Sequence, residues 1–177
     1  MYWILFIMAA IVAIVLALIV GGLVTPRDHV VARRIRLRDP RSAVWVTIRD
    51  FGRYGEWRHE LEFAEVIDTE QPQPRWRETS TRGSVAFGVT GETPSERLVA
   101  KILDEDLPFS GEWTWLLRDD AEGTEVSITE RGTVRNPVFR FIGAHLIGYT
   151  SSIDRYLKAL AERHGEPGLA ISDATPI

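Results

Sequence analysis

The 177-residue chain has a formal net charge of −4, four histidines and no cysteine. Without cysteine there are no disulfides, no thiolate catalysis and no Cys-ligated zinc, and the acidic balance leaves no positive excess for nucleic acid phosphates. His29, His59, His145 and His164 stand in no H-E-x-x-H or related spacing, so neither a metal site nor a cofactor is expected.

Met1 to Val24 contain no charged residue. At about 1.5 Å per helical residue the run spans roughly 36 Å, against a hydrocarbon core of about 30 Å. In lipid the backbone must satisfy its own polar groups, which requires a helix. A secretory signal would show a basic leader, a shorter apolar core and a small-residue cleavage site. No Lys or Arg precedes this run, and Gly21-Gly22-Leu23-Val24-Thr25 makes a poor site. Residues 1–24 are therefore read as a retained single-pass transmembrane anchor rather than a cleaved signal, with the membrane bilayer as a partner. Tyr2 and Trp3 stand where an interfacial aromatic belt would stand. Arg27, Arg33, Arg34, Arg36 and Arg38 follow the run, and the positive-inside rule places the remaining residues in the cytoplasm. The same arginines also fit a folded strand, which would explain them without reference to topology.

All 21 Lys and Arg and all 25 Asp and Glu lie after the anchor. The remaining length is that of one domain with a real core. Residues 25–29 read as a linker, 30–163 as the domain and 164–177 as a disordered tail. His29 to Arg38 alternates as an edge-proximal strand, with Val31, Arg33, Ile35 and Leu37 on one face. Asp39-Pro40 opens a helix with Asp39 as N-cap, carrying Ala43, Val44, Ile48 and Phe51 at helical spacing. A turn or short helix follows at Gly52 to Trp57. Six strands come next: Leu61 to Thr69, Arg75 to Thr81, Ser84 to Thr90, Glu96 to Leu103, Gly111 to Arg118 and Thr124 to Val134. They are separated by Gln71-Pro72-Gln73-Pro74, Arg82-Gly83, Gly91-Glu92-Thr93-Pro94 and two acidic turns, the pattern of an antiparallel meander. Pro137 then begins one long helix to about Arg163. Its stripe is Val138, Ile142, His145, Tyr149, Ile153, Tyr156, Leu157 and Leu160.

Scattered residues in this order carry a resemblance. They are Asp39-Pro40-Arg41-Ser42-Ala43-Val44-Trp45, Tyr54-Gly55-Glu56-Trp57, Ser110-Gly111-Glu112-Trp113-Thr114-Trp115 and Gly123-Thr124-Glu125-Val126. Over about residues 27 to 163 the chain resembles the START-like or SRPBCC helix-grip superfamily, in its polyketide cyclase/dehydrase-like branch. The resemblance implies an α+β helix-grip fold: a curved antiparallel seven-stranded sheet wrapped around a long C-terminal helix. It also implies an apolar cavity between the two. The transmembrane helix lies outside the common domain.

Strand alternation selects a candidate lining of Trp57, Trp76, Glu78, Phe87, Trp113, Trp115, Ile128, Glu130, His145 and Tyr149. Two readings stand for the aromatics: plain core packing, or the wall of a ligand cavity. An inward Glu78 or Glu130 needs a partner, either an arginine such as Arg77, Arg131 or Arg135, or a ligand. Glu130, His145 and Tyr149 are candidate acid/base residues for a cyclase/dehydrase-type enzyme if they converge on one cavity; a hydrogen-bonded core histidine is the plainer alternative. Three functions follow: an anchored binding module for a hydrophobic small molecule such as a lipid, isoprenoid or polyketide-like compound, that enzyme, or a non-catalytic membrane-protein partner with a filled core.

Overall fold

The computed structural model describes residues 2–68 and 73–177. The apolar run forms one helix, α1 (Tyr2–Val24), long and apolar enough to cross a membrane. The domain begins with β1 (Asp28–Leu37), α2 (Arg41–Arg49), a 3₁₀ turn at Phe51–Arg53 and α3 (Tyr54–Trp57). Six strands follow: β2 (Phe63–Asp68), β3 (Arg75–Ser80), β4 (Gly83–Thr93), β5 (Arg97–Ile102), β6 (Phe109–Asp120) and β7 (Gly123–Val134). The expected Thr69 strand end and the Gln71-Pro72 part of the turn lie outside the described residues.

These strands pair antiparallel as a meander, and β1 closes onto β7. Alternation is the cause: Trp76, Trp115, Leu117, Val126 and Ile128 turn one buried face toward the helices. β4 runs past the expected turn at Gly91, because a bulge between Val89 and Gly91 absorbs the irregularity. The reversal falls instead at Ser95, a non-glycine residue at φ 61°. Asp39 does not cap α2; its carboxylate meets His164 Nδ1 at 2.6 Å, and Pro40 takes the N-cap position with no side-chain bond.

Two expectations at the C-terminal end are corrected. The long helix is broken into α4 (Pro137–Ile142), a π-helical turn (Gly143–Ile147) and α5 (Ser151–Arg163). Asn136 caps α4 by accepting from the Val138 and Phe139 amides. The Gly148 amide donates to the Gly143 carbonyl five residues back, and Gly148 adopts φ 83°, which a side chain would oppose. The helix therefore stops, and its phase is reset before α5. Ile153, Tyr156, Leu157 and Leu160 of α5 are fully buried against the sheet, each contributing roughly 2 kcal/mol of apolar burial.

The tail read as disordered is instead paired. β8 (Ser172–Asp173) adds an eighth strand beside β1, Asp173 receives Arg33, and the Ile177 amide donates to Thr129.

Candidate functional site

A cavity of about 580 Å³ lies between α5 and the sheet, within the range of small-molecule pockets, about 300–1,000 Å³. Phe87, Ala100, Ile102, Trp113 and Trp115 form its sheet wall, and Phe139, Ile142 and Ile147 its outer wall. The interior is thus left open, not filled by its own aromatics.

Glu130 is the hub of one polar cluster. Its Oε1 accepts from His29 Nε2 at 3.2 Å. Its Oε2 accepts from Trp113 Nε1 at 2.8 Å and Ser152 Oγ at 3.0 Å. Trp113 stands directly across the β6–β7 ladder from Glu130, so strand register sets that bond. His29 lies flat on the Tyr149 ring, with centroids 3.7 Å apart and planes 4° from parallel. Two glycines make room for this stack. A Cβ on Gly132, which faces His29 across β1–β7, would sit 2.4 Å from the imidazole, and one on Gly143 would sit 2.9 Å from the Tyr149 ring.

The opposite polar cluster is built around Arg58. The guanidinium donates to Glu78 at 2.8 Å and to Glu60 at 2.9 Å, and Trp76 Nε1 donates to the same Glu78 oxygen at 3.0 Å. It also lies over the Tyr54 and Tyr156 rings. Burial acts to lower the Arg58 pKa, but Glu78 and Glu60 outweigh it and hold the group above its ordinary value. Phe51, Trp76 and Phe87 stack in a row beside it, at 3.9 and 5.3 Å.

Chemically, the Glu130 cluster is a held imidazole. With Nε2 donating to the carboxylate, a neutral ring turns the Nδ1 lone pair away from it. Nδ1 is buried and has no hydrogen-bond partner among the described residues. Burial pushes the Tyr149 phenol up, against the pull of Arg140.

Of the residues selected by alternation, Trp76, Glu78, Phe87, Trp113, Trp115, Glu130 and Tyr149 share this cavity. Trp57 does not line it: the indole packs edge-on against Tyr54 and Tyr156 in the core. Ile128 is fully buried away from it. His145 is also outside, since the π turn rotates it toward α1, where Nε2 meets Thr25 Oγ1 at 3.3 Å. The proposed Glu130, His145 and Tyr149 grouping therefore does not form, and His29 occupies the place given to His145. The expected arginine partners are replaced too: Arg58 serves Glu78 and His29 serves Glu130, while Arg135 holds the Glu105 and Leu107 carbonyls. His29 shares the inward face of Val31 and Ile35, so alternation extended by one step would have found it. Arg58 follows a short helix and carries no periodic signal.

The profile of the family described as polyketide cyclase/dehydrase and lipid transport matches residues 28–165. The chain belongs to that family. No curated protein matches it. Among solved structures, the ZhuI aromatase/cyclase of Streptomyces sp. R1128 aligns with TM-score 0.65 at 15% identity, covering 78% of this chain and 94% of that one. A protein from Thermobifida fusca aligns at 0.61 and 20% identity, covering 77% and 93%. The di-domain aromatase/cyclase StfQ of the steffimycin pathway aligns at 0.59 and 12% identity, covering 77% of this chain and 52% of its own. At these identities the likeness is one of fold: the family member has a helix-grip domain, here preceded by an apolar helix.

Proposed function

We propose that this family member is a membrane-anchored binding module whose cavity takes one apolar molecule bearing a polar group, such as a lipid, isoprenoid or polyketide-like compound. The observation that carries the reading is the open cavity, apolar along its walls and ended by two satisfied polar clusters. The Glu130–Ser152 and Arg58–Glu78 groups that line its two ends supply polar contacts for the ligand's polar group. Membership in a family whose description includes lipid transport supports the same reading. The apolar length of α1 supports anchoring, with the domain on the cytoplasmic side by the flanking arginines.

The test is native mass spectrometry of the full chain released from detergent micelles. The expected result is a bound mass that disappears on denaturation. A clean apo mass after incubation with a membrane lipid extract would sink the proposal.

The polar cluster on the cavity wall favours a second reading, a cyclase/dehydrase-type enzyme in which the Glu130 carboxylate, held by His29, Trp113 and Ser152, takes up the substrate's proton. The same spectra separate the two. A carrier returns its occupant unchanged with time, whereas a dehydrating enzyme converts it to a species lighter by one water.

A further inference from the structure

We infer that the Pro137–Ile147 segment lies in the bilayer interface and forms the lipid-facing outer wall of the cavity. This rests on the anchored reading above and adds where the cavity sits relative to the membrane.

The segment packs on the last turn of α1. The Phe141 ring fills the space beside Gly21, and a Cβ on Gly22 would come 1.8 Å from the Pro137 carbonyl. Arg140 fastens the two together. It is buried, and its guanidinium donates to the Gly22 and Thr25 carbonyls on one side and to the Val134 and Arg135 carbonyls on the other. α1 is therefore held against the domain, and its depth sets the depth of the segment.

That depth follows from helix geometry. The midpoint of Tyr2–Val24 is Ala13. With Ala13 at the bilayer midplane, Gly21 lies about 12 Å from it and Thr25 about 18 Å, bracketing the hydrocarbon edge near 15 Å. Phe141, beside Gly21, falls at the hydrocarbon edge, and the polar Thr25–His145 pair falls at headgroup level.

The exposed side chains agree with this placement. Phe139, Leu146 and Ile147 are 51, 70 and 59% exposed, and Leu146 is the most exposed large apolar residue outside α1 among the described residues. Phe139 and Ile147 also line the cavity, so a single layer of side chains separates it from the surroundings. Water is a poor partner for that layer; the acyl–headgroup boundary is a good one.

The chain contains no cysteine, so single nitroxide labels can be placed without other changes. Leu16→Cys reports the middle of α1, Leu146→Cys the segment, and Val46→Cys an exposed position on α2. All three sites are exposed, so the fold tolerates the labels. The full chain is reconstituted in phosphatidylcholine vesicles, and each label's accessibility to oxygen and to a water-soluble nickel chelate is measured. The expected oxygen-to-nickel ratio is several-fold higher at Leu146 than at Val46, approaching the value at Leu16. A Leu146 label as aqueous as Val46, with Leu16 deep, overturns this inference and leaves the anchor standing. An aqueous Leu16 label overturns both.

Discussion

At the residue scale, the chemistry of the cavity depends on side chains that are missing. Gly132 and Gly143 contribute nothing to the polar cluster, yet the His29–Tyr149 stack occupies the space their side chains would take. Strand pairing fixes Gly132 opposite His29, so the backbone cannot slide to relieve a clash. Gly132→Ala is expected to push the imidazole off Glu130 and weaken retention of the bound molecule by about tenfold, the equivalent of one hydrogen bond to a charged group. Titration of the occupant recovered by mass spectrometry measures this. Unchanged retention, with the His29 imidazole signals unmoved, would show that the stack does not depend on the glycine. Glu78, Glu130 and Trp113 were accessible to sequence reasoning because alternation follows from strand geometry alone. Their partners were not, because His29 and Glu130 are 101 residues apart and only the closing of β1 onto β7 brings them together.

At the element scale, the break after α4 matters most. A continuous helix would carry His145 and Tyr149 on one stripe. The π turn and the left-handed Gly148 separate them, sending Tyr149 into the cavity and His145 to the α1 contact. A helical stripe is a statement about uninterrupted 3.6-residue geometry, and a wider turn inside the run invalidates it. Arg140 joins the displaced segment to α1 by donating to carbonyls at the end of that helix, where they have no intrahelical partner. Arg140→Ala leaves buried acceptors without a donor, a loss of roughly 3 kcal/mol, and should speed amide hydrogen exchange across 137–147 by about a hundredfold. Exchange at the wild-type rate would mean that packing of Phe141 and Pro137 on Gly21 and Gly22 suffices.

At the scale of the whole molecule, the core encloses two phenols, Tyr54 from α3 and Tyr156 from α5. Tyr54 and Tyr156 share a hydrogen bond at 3.2 Å and are almost fully buried. Burial pushes both phenols well above the ordinary value of 10.0. The folded chain thus keeps protons that the unfolded chain releases above pH 10. Their contribution to stability is fully present below that pH and is lost as pH rises toward the folded values. The thermal midpoint should be insensitive to tyrosine ionisation up to about pH 10 and fall above it. Replacing both residues by Phe should remove that part of the alkaline slope, and an unchanged slope would place its origin elsewhere.

The sequence by itself determined most of the elements and their order: an apolar run of membrane length, an edge-proximal strand, a six-strand meander and, after it, the amphipathic pattern that α5 carries. These are local properties, set by periodicity, turn residues and helix length within a few neighbours. It also identified most of the inward carboxylates and aromatics, for the same reason. Only the tertiary structure decided that the aromatics leave a cavity, that His29 rather than His145 meets Glu130, and that the last residues pair with β1. Only there, too, does α1 pack on the domain through Arg140 and the Gly21–Gly22 contacts. Each of these depends on contacts between residues far apart in the chain, whose geometry no local pattern encodes.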